Sequence, residues 1–196
     1  MSRQRGKARE AIIESAEALV RKNGAGAVTI EEVAKAAGTA KGLVHYHFKT
    51  KQGLLSAVAD RLAASRIDNW ATALRPGAPE SAAETSWRLL TEEAATGVIL
   101  AWQTLLYTGA NANLPDQTAK LHASNFSNSL GTALTQLFAD DMGLIPTIPT
   151  PEIGWLMAAV IDGIGLQLLA GIREERLYGT YAAGWLGLLA LTTQAA

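Results

Sequence analysis

Apolar residues recur at intervals of three and four along nearly the whole chain, and no run of strict apolar and polar alternation is long enough to argue for a sheet. A backbone patterned in this way buries its stripes helix against helix, so the expected class is all-α, with about nine helices. At 196 residues the chain can close a substantial core, either as one helical unit or as a small head on a larger body.

The first helix is expected from about Lys7 to Asn23, with Ile12, Ile13, Ala16, Leu19 and Val20 on one face and Gly24 placed to cap its end. Thr29-Ile30-Glu31-Glu32 reads as a capping box: the Thr29 hydroxyl accepts from the Glu32 amide while the Glu32 side chain reaches back. The second helix therefore starts there, runs on Ile30, Val33, Ala34 and Ala37, and stops at Gly38. A third short helix follows from about Ala40 to His47. Thr50 can cap a fourth, Lys51 to about Leu74, which Pro76 and its neighbours terminate. Further helices are expected near Glu80–Ala95, Gly97–Ala110, Pro115–Ala139, Glu152–Leu177 and Thr180–Gln194, with turns at 111–115 and 143–151.

Charge divides the chain at about the same place. Residues 1–53 hold ten Lys/Arg against five Glu, whereas the remainder holds seven against thirteen acidic residues, although the whole carries only −1. Such asymmetry suits a polyanion-binding head on a body that does not bind polyanions. With no cysteine, disulfides, thiolate zinc sites and cysteine nucleophiles are excluded, and a cytoplasmic home is expected. The basic N-terminus runs straight into an amphipathic pattern and not into a signal peptide's apolar stretch. The most membrane-like segment, Ile153 to Ile172, is interrupted by Asp162 and Gln167, which favours burial in protein over lipid and argues for no membrane partner.

Two short helices joined by a tight glycine turn form the unit whose second helix enters the DNA major groove. On that third helix Ala40, Gly42 and Leu43 are small or apolar while Val44 and Phe48 point inward, leaving a flat outer face that can lie close to base edges. Lys41 can donate to guanine O6/N7 and Leu43 can touch a thymine methyl. His45, Tyr46, His47 and Lys51 gather donors where phosphates should run, and Thr29 adds a hydroxyl at a helix N-terminus. Tyr46 can equally be a packing aromatic. A metal site on His45 and His47 is not expected, because side chains two apart on a helix diverge and no third ligand lies nearby; no metal or cofactor is implied.

The stretch from Thr29 to Leu55, TIEEVAKAAGTAKGLVHYHFKTKQGLL, resembles the head of the tetracycline-repressor (TetR) family, including the aromatic-His-Phe ending and the Lys51-x-x-Leu54-Leu55 start of helix four. The resemblance implies a DNA-binding domain over residues 5–65 and a helical ligand-binding and dimerising domain over 66–196. It also implies a ligand-responsive homodimer on palindromic double-stranded operator DNA, with a small-molecule effector as third partner. Two positions depart from the family's pattern. Thr39-Ala40 replaces the usual Val and capping Ser, so Thr39 is expected to take over the cap one residue early, and His45 replaces the usual Tyr. In the body, Asp162 to Leu169 resembles a segment of the betaine-regulator-like branch.

The last two helices read apolar nearly all round, which a chain-terminal pair satisfies most easily by packing on a two-fold mate as a four-helix interface. Leu156, Val160, Ile164, Leu168, Tyr181, Trp185 and Leu189 are its expected members. For an effector cavity, the polar groups set among apolar walls are Gln103, Thr104, Tyr107, Thr108, His122, Asn125, Ser127 and Asn128, beside Trp102, Leu106 and Phe126, with Trp70 and Trp87 able to complete it. Large aromatics at helical spacing can equally be plain core. Two rival functions remain at this stage. One is a DNA-binding dimer without an effector, or one that activates transcription. The other is a helical enzyme, for which the sequence offers no nucleophile and base pairing, metal-ligand spacing or phosphate loop.

Overall fold

The protein is described from a computed structural model that covers residues 2–77, 81–111 and 117–195, without the side chains of 2–5, 107–111 and 117. The described residues form α1 (Ser2–Asn23), α2 (Ile30–Ala36), α3 (Lys41–Phe48), α4 (Lys51–Ala73), α5 (Ala82–Ala95), α6 (Val98–Asn111) and α7 (Gln117–Met142). A short strand β1 (Leu144–Pro146), α8 (Thr150–Leu169), α9 (Glu174–Leu189) and β2 (Thr192–Gln194) complete them. The fold is all-α, as the periodicity requires.

Contacts divide the chain into two compact units. The first is Met1–Ala63 with Leu100–His122; the second is Ala64–Ile99 with Ala123–Ala196. In the first, α1 packs on α2 and α3, and α2 on α3. Ile12, Ile13, Ala16 and Val20 of α1, Val33 of α2, Val44 and Phe48 of α3, and Leu54, Leu55, Val58 and Leu62 of α4 are buried. Charge closes the rim: Arg61 of α4 reaches Glu10, Glu14 and Glu17 of α1, and Glu17 also pairs with Arg21. The Arg9 guanidinium lies 5.3 Å over the Phe48 ring.

In the second unit α5 packs on α8 and α9, which also pack on each other. The approach of α7 and α8 depends on two missing side chains: a Cβ at Gly154 would run into the Ser127 carbonyl, and one at Gly131 into the Thr150 carbonyl. Ile153, Met157, Ile161 and Ile164 of α8 line up at helical spacing and are buried. By length and composition α8 could cross a membrane, but this inward stripe packs in the protein interior.

Two expectations need correction. The single helix expected over Glu152–Leu177 is two elements: α8 ends at Leu169, Gly171 turns the chain at φ +83°, and α9 starts at Glu174. The apolar run continues through this break, so periodicity alone cannot see it. The end expected at Gln194 is likewise too late, because α9 stops at Leu189 and Thr192–Gln194 pairs antiparallel with Leu144–Pro146.

Candidate nucleic-acid interface and interior sites

The helix-turn-helix is built by local capping. At the start of α2 the Glu32 amide donates to Thr29 Oγ1 at 3.2 Å, and Thr29 returns its own amide and hydroxyl to Glu32 Oε2 at 3.0 and 2.8 Å. These bonds to Thr29 hold the Glu32 carboxyl below the usual carboxylate range. At the end of α2 the chain turns through a Schellman motif, with Gly38 donating to Lys35 O at 3.2 Å and Thr39 to Ala34 O at 2.9 Å.

Thr39 thus belongs to the α2 turn, and the cap expected from it on α3 does not form. Ala40 is the N-cap residue, and no side chain caps the helix. Lys41, Gly42, Leu43, His45 and Tyr46 are exposed, His47 is half-buried, and Val44 and Phe48 are buried. Tyr46 is 57% exposed, so it is a surface residue. After Phe48 the chain makes a γ-turn: Lys49 has φ 61° and the Thr50 amide donates to Phe48 O at 2.6 Å. Lys49 Nζ then lies 5.5 Å over the Tyr46 ring, and His45 Nδ1 faces Lys49 O at 3.4 Å. Thr50 Oγ1 accepts from Gly53 N at 3.0 Å at the start of α4. Lys51, expected among the phosphate contacts, donates from Nζ to the Gly26 carbonyl at 2.9 Å. The acidic groups of α1 are drawn toward Arg61 and Arg21, and the α3 face presents only neutral and basic side chains.

The nominated effector residues fall into separate groups. In the first unit, Trp102, Gln103 and His122 are buried and Leu106 is half-buried. His122 Nε2 is 3.1 Å from Asp60 Oδ1, and Gln103 Nε2 has no hydrogen-bond partner among the described residues. The Tyr107 and Thr108 side chains lie outside the described residues. In the second unit, Trp70 and Phe126 meet edge to face at 6.2 Å, Asn125 is exposed, and Trp87 joins Tyr178 and Tyr181 at 5.4 and 5.2 Å. Two open grooves also lie in this unit. One of about 360 Å³ is lined by Leu74, Arg75, Ser129, Thr132 and Gln136; the other, of about 520 Å³, by Thr91, Leu168, Ile172, Arg173 and Glu174. None of the nominated effector residues lines either groove.

Sequence reasoning missed a buried ion pair between Arg66 and Glu93. Arg66 Nε donates to both Glu93 oxygens at 3.0 and 3.1 Å, Nη2 adds a bond of 2.7 Å, and Trp70 Nε1 donates to Glu93 Oε1 at 3.2 Å. Arg66 Cζ stands 4.4 Å over Phe126. The available signal was Glu93 on the inward face of α5 with Ser86 and Leu90, at helical spacing. Asp162 lies within range of both charges, and burial, its largest influence, pushes its carboxyl above the usual range.

The dimer residues also divide. Ile164, Tyr181 and Trp185 are interior, and Tyr181 donates to Ser86 Oγ at 2.7 Å; burial pushes its hydroxyl up to about 12. Val160, Leu168 and Leu189 are half-buried, and Leu156 is exposed. The large exposed apolar residues of α8 and α9 are Trp155, Leu156, Leu166, Leu169, Tyr178 and Leu186. Both faces of these helices are apolar, so the pattern did not distinguish the inner from the outer one.

Residues 12–58 match the model of the family described as bacterial regulatory proteins, tetR family. No curated protein matches the chain in sequence. Among solved structures, a protein from Rhodococcus sp. described as a TetR-family transcriptional regulator is 19% identical, with TM-score 0.75 over 93% of this chain and 98% of that one. A second, from Mesorhizobium loti and with the same description, is 18% identical, with TM-score 0.73 over 96% and 98%. The multidrug binding protein EbrR, complexed with imidazole, is 25% identical, with TM-score 0.60 over 90% and 88%. The sequence match to the tetR family falls on the helix-turn-helix built above, and the likeness of fold to these solved structures extends through the remaining helices.

Proposed function

We propose that the chain is a DNA-binding transcriptional repressor, dimeric and released from palindromic operator DNA by a small-molecule effector. The observation that carries this reading is the outer face of α3. Lys41, Gly42, Leu43, His45 and Tyr46 are exposed on a helix whose other side, Val44 and Phe48, is anchored in the core. A helix held that way has no packing reason to present Leu43 and Tyr46 to solvent, and in the major groove both acquire partners. We assign residues 5–65 to the DNA-binding head and 66–196 to the body, with a non-enzymatic role in the cytoplasm, where operator DNA lies. The exposed apolar stripe of α8 and α9 supports dimerisation, and EbrR bound to imidazole supports a small organic effector.

The test is selection of a binding sequence from random duplex DNA, followed by affinity measurements across a salt series. A palindromic site whose affinity falls steeply with salt is expected; no selected site, or salt-independent binding, removes the reading. A dimer without an effector is the second reading, favoured by the filling of the second unit's interior by Arg66, Trp70, Glu93 and Phe126. A thermal-shift screen of small organic molecules separates the two: a stabilising compound that lowers operator affinity supports the effector, because effector and operator must antagonise each other reciprocally.

A further inference from the structure

We infer that Thr104 is a positioning residue for DNA binding: from α6 it latches the α1–α2 loop, and through it α2 and α3, by one hydrogen bond to the Ala25 amide. The inference rests on the reading of α2 and α3 as the DNA-binding element.

The loop from Gly24 to Thr29 decides where α2 begins with respect to α1. Its two ends are fixed locally, by the Gly24 amide donating to Val20 O at 2.8 Å and by the Thr29 and Glu32 capping box. Its middle is fixed from elsewhere in the sequence. Lys51 Nζ holds the Gly26 carbonyl at 2.9 Å, and Thr104 Oγ1 accepts from the Ala25 amide at 3.0 Å, 79 residues away. The Thr104 hydroxyl donates its own proton to Leu100 O at 2.7 Å, which sets the rotamer and leaves oxygen lone pairs for Ala25.

The fit around this bond is close. Gly24 sits at φ +76°, and a Cβ there would stand 3.2 Å from Thr104 Cγ2, so the loop lies directly on this turn of α6. Ala25 is fully buried, and a buried amide that loses its acceptor is not readily rescued by water. Movement of the loop reaches the DNA face because α2 packs on both α1 and α3. Thr104 also directly follows Gln103, whose buried Nε2 has no hydrogen-bond partner among the described residues. An effector acceptor engaging Gln103 would act on the same helical turn as the latch.

Thr104→Val keeps the shape and removes the acceptor. Operator affinity of the full-length protein, measured by fluorescence anisotropy on the selected duplex, should fall by about tenfold. Its salt dependence should be unchanged, since no phosphate contact is lost. Hydrogen exchange at the Ala25 amide should quicken by about tenfold while distant amides keep their rates. Thr104→Ser, which retains the oxygen, should restore both. Should Thr104→Val fail to fold, Thr104→Ala, which cannot overpack the site, is read in the same way. Unchanged operator affinity, exchange raised uniformly through the protein, or no rescue by Ser each overturns the proposal. If the wild-type protein selects no operator, the DNA-binding reading itself fails, and the Ala25 exchange measurement still reports whether the latch exists.

Discussion

Arg66 and Glu93, 27 residues apart on α4 and α5, bury a bidentate ion pair in which Arg66 is 1% and Glu93 3% exposed. Trp70 gives Glu93 a further donor, and Phe126 faces the guanidinium. Taking both charges out of water is costly, so the pair is a poor source of net stability, but losing one partner leaves the other uncompensated.

Glu93→Ala is therefore expected to destabilise the protein by about 3–5 kcal/mol, whereas replacing both members together by apolar residues of similar volume should cost far less. Chemical denaturation of the single and paired variants checks this. A Glu93→Ala protein within about 0.5 kcal/mol of wild type would show that the pair's buried geometry is not maintained in solution.

Asp162 gives a pH dependence of definite sign. Burial raises its folded pKa above the unfolded value of 3.8, with Glu93 adding to the effect and Arg66 opposing it. The folded protein thus binds this proton more tightly than the unfolded chain. The cost of the buried charge is present in full above the folded pKa and disappears as pH falls through that value toward 3.8. Asp162→Asn should consequently raise Tm at neutral pH, and its advantage should shrink on acidification. An advantage that is constant with pH would assign the gain to something other than ionisation.

On the proposed DNA face, Lys41→Ala and Leu43→Ala should change the preference among operator sequences, each by about 1–3 kcal/mol at one base position. Lys51→Ala should weaken all sequences alike and reduce the slope of log affinity against log salt by about 1, because its ammonium has donors left after binding Gly26 O. An unchanged slope with a uniform loss would mean that Lys51 acts through the Gly26 loop alone. Parallel affinity measurements on single-base variants of the selected site distinguish these outcomes.

Much of the head was legible because its determinants are local. Thr29 and Glu32 are three residues apart, Gly38 ends α2 within its own turn, and Val44 and Phe48 lie on one helical face. What escaped the sequence is set by distant partners or by a conformation shared with a neighbouring turn. Thr39 looked like a cap until the Schellman bond to Ala34 claimed its amide and placed it outside α3. The gap between α8 and α9 is hidden inside a continuous apolar run, although Gly171 and the acidic pair Glu174 and Glu175 could have marked it. The Arg66 and Glu93 pair, the Thr104 latch and the pairing of Leu144 with Gln194 join residues that no local pattern connects.

The same limit shapes the prediction for assembly. Both sides of α8 and α9 are apolar, and the structure assigns Ile153, Met157, Ile161, Ile164, Tyr181, Trp185 and Leu188 to the interior. Trp155, Leu156, Leu166 and Leu186 are left outside, Leu186 with 67% of its surface exposed. Large apolar side chains exposed on two helices that pack together are what a two-fold mate would cover. Leu186→Glu should therefore dissociate the proposed dimer, because it would place an unpaired charge in an apolar interface at a cost of several kcal/mol. Since Leu186 is exposed in the subunit, the melting of the dissociated chain should show that it still folds. The resulting monomer should also lose most operator affinity, because paired heads must reach half-sites about 34 Å apart. Light scattering and anisotropy on the same preparation provide the check. An intact Leu186→Glu dimer would place the interface on another face, and a monomer with full operator affinity would separate dimerisation from DNA binding.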